Sequence, residues 1–367
     1  MEIRAKKRIG PQVIQGMTLG NLLEVLARHQ FQIDASCFGR LAHLLALGVF
    51  NSIYGACETF FNTEDISEVT IEHAPLFILG HWRSGTTHLH NLLSQDVNFT
   101  CPTAYQALFP HHFIFSQVGG VIFDCLAPRK RPMDNMAFSA LVPHEDEFAL
   151  VAHSTVSPYL RFLFPVTGSN GYAKFDPREL PPEALERWKK SFVTFLKKVT
   201  LSEDKRIVLK SPPHMGRIAT LLELFPDAQF IHIVRNPYIV YLSTHKLWSD
   251  SLAFAHLQRP GRQLVDETIL SCYSELFALF ERDRVLIPDG ALHEMKFEDL
   301  EADPVGTLKK MYETLGLGGF QDFRDTVSPY LEKLKTYEKN HHDLDRASCR
   351  KVATHWRSTF ERYGYTL

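Results

Sequence analysis

The stretch PLFILGHWRSGTT, residues 75–87, decides how this chain folds. Its first five residues form a short apolar run closed by Gly80, which is typical of a buried strand that enters a tight turn. A helical pattern follows over residues 87–95. Gly80 and Gly85 bound the turn, and their separation is that of a phosphate-binding loop between a strand and a helix. The stretch therefore predicts a strand, an anion-binding loop and a helix in succession.

The loop differs from a nucleoside-triphosphate loop at one position. Such a loop carries Lys directly after its second glycine, where this chain has Thr86. Glycines still let backbone N–H groups approach an anion, and the helix N-terminus adds partial positive charge. Arg83 is the only cation in the loop, and Ser84, Thr86 and Thr87 supply hydroxyl donors. The loop thus fits a phosphate-like group better than it fits Mg-ATP. The alternative is that the loop binds no ligand and is a strand-to-helix turn in which the glycines are needed only for the backbone geometry.

Other segments continue the alternation of strands and helices. Helical spacing appears over residues 185–199 and 218–225, and Asp303-Pro304 is typical of a helix start. Short apolar runs between these helices predict three further strands, over residues 206–209, 228–234 and 292–297. The alternation predicts an α/β fold in which a parallel sheet is flanked by helices.

The N-terminal part predicts helices instead. Residues 17–62 carry two or three helical patterns, so we predict a helical segment over residues 1–72 that packs on a single α/β domain over residues 73–367. Residues 41–57 are apolar but short for a membrane span, and polar residues interrupt them. We expect a buried or membrane-surface helix there. The less regular residues 100–180, rich in Pro, His and Phe, predict substrate-facing loops.

Composition bounds the partners and the compartment. The net charge of −2 over 367 residues excludes the basic footprint of a nucleic-acid-binding protein. The six cysteines lack CxxC or zinc-ligand spacing, which indicates reduced thiols in a cytosol-like compartment and no metal cluster. Residues 1–7 are charged but are not followed by the apolar core of a signal peptide. The sequence therefore predicts a cytoplasmic protein.

Two further cations follow predicted strands. Arg235 closes the strand over residues 228–234, and Ser243 lies eight residues on, about two turns into the next helix. An arginine fork stays charged and matches oxyanion geometry, so this pair can bind a second phosphate. Lys210 closes another strand, and ligands of open α/β sheets bind at that edge. The alternatives without a ligand are that Arg235 and Lys210 are surface residues and that Ser243 only lies on the face of a helix.

Together these segments resemble the sulfotransferases that use 3′-phosphoadenosine 5′-phosphosulfate (PAPS). Residues 75–87 resemble the 5′-phosphosulfate loop of that family, and FPDAQFIHIVRNP, residues 225–237, with Ser243 resembles its 3′-phosphate motif. VLKSPPH, residues 208–214, and KFEDLEADP, residues 296–304, resemble its bacterial branch. The resemblance covers about residues 73–320 and implies a P-loop-like fold.

The resemblance also implies roles for single residues. Arg235 and Ser243 would hold the 3′-phosphate, and Lys210 would touch the bridging oxygen or the sulfuryl group. PAPS would be the co-substrate and PAP the product, and the family works without a metal. The 5′-phosphosulfate would be held by residues of one loop: Arg83, Ser84, Gly85, Thr86 and Thr87.

The chain departs from the family pattern at three positions. Arg83 stands where the cytosolic members carry Lys, although bacterial and tyrosyl-protein members often use Arg. His88 replaces the Trp that often stacks on adenine. Pro212 stands where the cytosolic members carry the catalytic His two places after the lysine. The base that accepts the proton of the acceptor must therefore come from elsewhere.

The segment PHEDEF, residues 143–148, supplies the candidate base. Three carboxylates and a histidine lie there in an apolar, Pro-bounded stretch, where we expect desolvation and mutual repulsion to favour a carboxylate that can act as a base. We hypothesise that Glu145 or Glu147 is the base; the two point the same way only if the segment is extended. A solvated acidic turn is the non-catalytic alternative. Histidines are the other contenders: His214, His111 and His112.

The leading interpretation is a sulfotransferase that makes sulfate esters, or sulfamates, from PAPS. A P-loop kinase or NTPase and a non-catalytic PAP-binding protein are the alternatives. The acceptor is a small molecule, a lipid or a carbohydrate, and aromatic stretches such as residues 111–115 and 162–164 fit either an acceptor pocket or the core. The sequence leaves a homo-oligomer and a membrane-surface contact open.

Overall fold

A computed structural model describes residues 13–126, 138–168, 171–251, 255–334 and 345–367. Within them the strands form one parallel sheet of order β2-β3-β1-β4-β5. The strands are β1 (Leu76–Leu79), β2 (Phe99–Thr100), β3 (Arg206–Lys210), β4 (Gln229–Val234) and β5 (Leu292–Lys296). The predicted α/β fold with a parallel sheet flanked by helices is confirmed.

The helices occupy most of the remaining described chain. They are α1 (Leu19–Arg28), α2 (Phe38–Glu68), α3 (Thr86–Leu93), α4 (Ala104–Leu108), α5 (Gly119–Leu126), α6 (Glu147–Ser154), α7 (Leu160–Leu163), α8 (Pro182–Ser202), α9 (Ile218–Leu224), α10 (Pro237–Lys246), α11 (Arg262–Asp283), α12 (Phe297–Ala302), α13 (Pro304–Leu315), α14 (Phe320–Leu334), α15 (Arg346–His355) and α16 (Arg357–Tyr363). Single 3₁₀ or π turns lie at Ala35–Cys37, Pro177–Glu179, Pro212–Gly216, Leu247–Ser251 and Arg284–Leu286.

The differences from the predicted elements concern short segments. The four predicted strands are present. The fifth strand, β2, was not predicted, because its two residues are too few to show a periodic pattern. Residues 100–180, predicted as loops, contain α4 to α7, each of one or two turns. At α13 the predicted start is confirmed, since the Asp303 carboxylate accepts a hydrogen bond from Gly306 N at 2.9 Å.

Two compact units share the chain. The helical unit contains residues 13–72, 101–204 and 247–265, and the sheet unit contains residues 73–100, 205–246 and 266–367, apart from the gaps given above. The chain first passes from the helical unit to the sheet unit after residue 72. The division into an N-terminal helical segment and one α/β domain stays a prediction. Residues 1–7, predicted not to form a signal peptide, lie outside the described residues.

In the sheet unit, β1 is the central strand, and its four side chains are fully buried. This continuous apolar pattern is typical of a parallel strand that is covered on both faces. Ile78 pairs in register with Lys210, and Leu79 pairs with His232. The carboxyl ends of β3, β1 and β4 therefore lie side by side, and the chain places its loop and two cations at this edge.

In the helical unit, α2 is held by polar side chains that face inwards. The Asn51 amide donates to Gln15 O at 2.7 Å and to Met17 O at 2.9 Å. Glu58 is buried in an ion pair with Lys198. Residues Ala35–Glu68 are long and apolar enough to cross a membrane by length and composition. These inward contacts show that one side of α2 packs on protein.

Candidate active site

The loop at the carboxyl end of β1 depends on its two glycines. A Cβ at Gly80 would lie 2.7 Å from Ile233 O. Gly85 has a φ of 101°, and a Cβ there would lie 2.2 Å from Cδ2 of Phe297. Only glycine fits such a conformation and such a close approach. Gly85 is also the N-cap of α3 and provides no side-chain cap, so the helix N-terminus is suited to an anion.

Hydrogen bonds inside the loop occupy its carbonyl groups. Ser84 Oγ donates to His81 O at 2.8 Å, and His81 Nδ1 donates to Trp82 O at 2.9 Å. Burial lowers the pKa of His81 to about 3, which keeps the imidazole neutral. The Ser84 hydroxyl, predicted to bind the ligand, closes the loop in this structure.

Arg83 connects the loop to the end of β4. Its φ of 68° is uncommon for a residue with a side chain, and such strain is often found at functional sites. Arg83 Nε donates to Ser243 Oγ at 2.7 Å, and Arg235 Nη1 donates to Arg83 O at 3.4 Å. The two groups of residues predicted to bind separate phosphates are therefore in direct contact.

Arg235 lies among charges of both signs. Burial lowers the pKa of its guanidinium, Glu298 and Glu301 raise that pKa, and the nearby Arg83 lowers it. An arginine stays charged despite such shifts. The two guanidinium groups repel each other, Glu298 and Glu301 offset part of that repulsion, and an anion bound to both arginines would reduce it further.

Phe297 is a residue of this site that the sequence analysis missed. The Arg235 guanidinium lies 4.2 Å from the centre of the Phe297 ring, and the His88 ring meets its edge at 6.1 Å. The same ring contacts Gly85. Phe297 thus supports both the loop and Arg235. The available signal was its position directly after β5, inside the segment that resembles the bacterial branch.

Lys210 and His214 have different surroundings. Lys210 ends β3 next to the loop-bearing strand and is only 2% exposed. His214 lies in the 3₁₀ turn that follows and is fully buried, and its ring centre lies 5.3 Å from that of Phe77 in an edge-on contact. Lys210 is therefore placed at the predicted edge of the sheet, whereas His214 packs against β1. The role of His214 as a base stays a prediction.

The two candidate carboxylates belong to the helical unit and differ in accessibility. Glu147 is the first residue of α6, is fully buried and accepts a hydrogen bond from Ser157 Oγ. Glu145 precedes the helix, is half-buried and accepts a hydrogen bond from the Tyr159 hydroxyl. The segment is helical from Glu147 onwards, so the extended arrangement of the pair is absent. Tyr159 is a second residue that the sequence analysis did not single out.

The pair His111 and His112 has packing contacts. His111 Nε2 donates to Ala152 O at 3.2 Å, and His112 Nε2 donates to Asn51 Oδ1 at 3.1 Å. Burial lowers the pKa of each to about 4. These histidines connect α2 and α6 through their ring nitrogens, the role expected of a histidine in a core.

The sheet order, the glycine loop and the cations at the edge of the sheet are those from which an anion site is predicted, and comparison with known proteins identifies the family. Residues 75–322 match the sulfotransferase family. The chain therefore belongs to the sulfotransferase family and is a transferase.

Individual relatives share most of the chain. Omega-hydroxy-beta-dihydromenaquinone-9 sulfotransferase Stf3 of Mycobacterium tuberculosis is 35% identical over 350 residues, which cover 95% of this chain and 90% of that protein, and the Mycobacterium bovis protein of the same name matches equally. The crystal structure of sulfotransferase STF1 from Mycobacterium tuberculosis H37Rv has a TM-score of 0.65 at 19% identity, with 92% of this chain and 91% of that chain covered. The crystal structure of sulfotransferase STF9 from Mycobacterium avium has a TM-score of 0.58 at 18% identity, with 86% of this chain and 82% of that chain covered. These structures share the fold.

Replacing Gly85 by alanine should destabilise the protein by about 2–4 kcal/mol, because the methyl group adds overlap with Phe297 to the cost of a positive φ. Gly290→Ala is the matched control, since Gly290 has a φ of 80° and no atom within 4 Å of the added Cβ. That control should lose only about 1 kcal/mol. Urea denaturation measures both free energies of unfolding. Equal losses would show that Phe297 does not constrain the loop.

Proposed function

We propose that this chain transfers the sulfuryl group of PAPS to a hydroxyl or amine of an acceptor, without a metal. The observation that carries the proposal is the hydrogen bond of 2.7 Å between Arg83 and Ser243, with Arg235 against the same loop. It joins two predicted phosphate subsites, and PAPS carries phosphate at both its 5′ and 3′ positions. A triphosphate would instead require a lysine at Thr86.

The proposed roles follow the placement of each residue. Arg235 and Ser243 bind the 3′-phosphate. Lys210 neutralises charge that develops on the bridging oxygen as the acceptor attacks sulfur in line, and such positioned cations supply most of the catalysis in comparable transfers. Bound PAPS supplies the activated sulfuryl group. The 5′-phosphosulfate is held at the N-terminus of α3 by the loop residues Arg83, Ser84, Gly85, Thr86 and Thr87.

The proposed acceptor is an apolar lipid alcohol. The relatives that are 35% identical are named for a hydroxylated dihydromenaquinone, and their match extends through the helical unit as well as the sheet unit. Aromatic side chains pack on Tyr159, the hydrogen-bond partner of the candidate base: the ring centre of Phe148 lies 5.9 Å from that of Tyr159, and the ring centre of Phe162 lies 5.4 Å from it. Such surroundings suit an apolar acceptor better than a sugar.

Glu145 is the proposed general base. A base must present a carboxylate oxygen to the acceptor hydroxyl within hydrogen-bond reach. Glu147 is fully buried beneath Ser157, whereas Glu145 is half-buried. The Tyr159 hydroxyl donates to Oε2 of Glu145 and orients the carboxylate.

Glu145→Gln should lower kcat by about 10²–10⁴-fold with little change in the free energy of unfolding, because an amide keeps the shape but cannot accept the proton. Glu147→Gln is the matched variant, and it should mainly lower stability because Glu147 is buried and hydrogen-bonded. Turnover with labelled PAPS and thermal unfolding separate these effects. Full turnover by both variants would eliminate the carboxylate hypothesis.

Thermal unfolding with nucleotides tests the donor. A ligand that binds only the folded state stabilises it by about 2.7 kcal/mol at a hundred times its Kd. PAP without Mg²⁺ should raise the unfolding temperature, and Mg-ATP should not. The opposite result would favour the kinase or NTPase alternative. Stabilisation by PAP without transfer of labelled sulfuryl to a phenol, sterol, lipid, sugar or polyketide acceptor would favour the non-catalytic PAP-binding protein.

A further inference from the structure

The outward side of α2 carries no charge over most of its length. Between Arg40 and Glu64 the only acidic or basic residue besides His43 is Glu58, which is buried in the ion pair with Lys198. Ala42 and Phe60 are separated by about 27 Å along the helix axis. Exposed apolar side chains recur there every three or four residues: Ala42, Ala46, Val49, Ile53, Ala56 and Phe60. The apolar stripe of α2 is thus exposed, whereas the polar side chains of Asn51 and Glu58 face inwards.

A second element extends this surface. Val118, which is 76% exposed, precedes α5, and Val121 and Ile122 on α5 are exposed as well. Phe115 stacks on Phe61 of α2, with ring centres 5.7 Å apart and planes within 6°. We call the combined surface the apolar face; it consists of the α2 residues just given with Phe61, Phe115, Val118, Val121 and Ile122. Among the large side chains of the apolar face, that of Phe60 has the largest exposed fraction, at 82%. Exposed apolar patches of this kind commonly mark interaction sites.

A row of rings connects α5 with the candidate base. Phe123 of α5 points inwards, with its ring centre 5.8 Å from that of Phe138. From Phe138 the row continues to His144 at 6.4 Å and from His144 to Phe148 at 4.6 Å. Phe148 meets Tyr159, whose hydroxyl is bonded to Glu145. Helix α5, which carries part of the apolar face, is therefore connected to Glu145 through a series of packed rings and one hydrogen bond.

We propose that the apolar face docks the enzyme on the surface of a lipid bilayer, and that it does so on the same unit that carries Glu145, the proposed base for a lipid acceptor. This inference rests on the proposed lipid acceptor, which is dissolved in a bilayer rather than in water. The inward bonds of Asn51 and Glu58 keep α2 on the protein, so the helix lies on the membrane and does not cross it.

The bilayer explains the face better than a second copy of the chain does. A partner copy would cover the stripe of α2, but it would not bring the enzyme to an acceptor that is itself dissolved in a bilayer. The sequence adds a charge argument, because Arg129, Lys130 and Arg131 follow α5 in the chain, outside the described residues. Basic residues that accompany an apolar helix favour anionic lipid headgroups. We therefore expect anionic bilayers to be preferred over neutral ones.

Co-sedimentation of the full chain with vesicles tests the proposal. Vesicles of phosphatidylcholine, with and without phosphatidylglycerol, are used without any nucleotide. The wild type should sediment with the anionic vesicles. The triple variant Val118→Ser, Val121→Ser, Ile122→Ser should partition at least about tenfold less, and Phe60→Ser should also weaken partitioning. Val285→Ser is the matched control, since Val285 is 78% exposed in the sheet unit; it should bind as the wild type does.

Two results would overturn the docking surface. One is a wild type that stays in solution with both vesicle types. The other is a wild-type dimer that the triple variant converts to a monomer without any change in vesicle partitioning. Transfer from labelled PAPS to a detergent-dissolved lipid alcohol is measured separately, and the triple variant should retain it. Vesicle binding in a chain that transfers no sulfuryl group refutes the proposed function and supports the docking surface.

Discussion

Replacing Lys210 by methionine should lower kcat by about 10²–10³-fold while PAP still raises the unfolding temperature. PAP lacks the sulfuryl group and the bridging oxygen that Lys210 is proposed to contact, so the loss should fall on turnover and not on binding of the product. The side chain is almost fully buried at the end of β3, and methionine keeps its length and apolar stem. Single-turnover kinetics and thermal unfolding with PAP measure the two quantities.

Lys205→Met is the control for Lys210. Lys205 directly precedes the same strand at its amino end, away from the loop. Its replacement should leave kcat within about twofold of the wild type, because a surface charge far from the reacting atoms contributes little. A Lys210 variant with full turnover, or one that has lost PAP binding in parallel, would contradict the assigned role.

Arg235→Gln should remove most of the stabilisation by PAP. Loss of one partner from a buried, hydrogen-bonded charge pair costs about 2–5 kcal/mol, which raises Kd by roughly 30-fold or more. Arg235→Lys should restore only part of the affinity, because an ammonium group cannot form the two parallel bonds of a guanidinium. The shift in unfolding temperature is compared with that of each variant without PAP, since the contact with Phe297 is also lost.

Arg206→Gln provides the comparison for Arg235. Arg206 begins β3 at the opposite edge of the sheet and donates to Ala74 O at 2.8 Å. Its replacement removes an arginine from the same sheet without touching the loop, so PAP should stabilise this variant as it does the wild type. If Arg235→Gln behaved like Arg206→Gln, the 3′-phosphate would have to bind elsewhere.

The anion loop could be predicted from the sequence because its determinants are local. A short apolar run, two glycines five residues apart and a helical pattern occupy consecutive positions, and each acts through backbone geometry within a few residues. The contact of Arg83 with Ser243 could not be predicted in the same way. Those residues are 160 positions apart, and only the pairing of β1 with β4 brings them together.

The identity of the candidate base could also not be predicted from the sequence alone. Residues 143–148 indicate a cluster of carboxylates, but their order does not show which one is accessible. The choice between Glu145 and Glu147 depends on where α6 begins and on Ser157 and Tyr159, which follow in a later turn. Burial is a property of the packed unit, so it becomes visible only in the structure.

By itself, the sequence determined the parallel α/β fold, the loop at the end of β1 and the cations at the ends of β3 and β4, because strand and helix periods and turn chemistry are local. The tertiary structure alone decided that Phe297 supports the loop and which side of α2 faces outwards. Helix α2 is apolar around most of its circumference, so its period could not orient it. Asn51 and Glu58 orient it, because their buried polar groups require distant partners: Gln15, Met17 and Lys198.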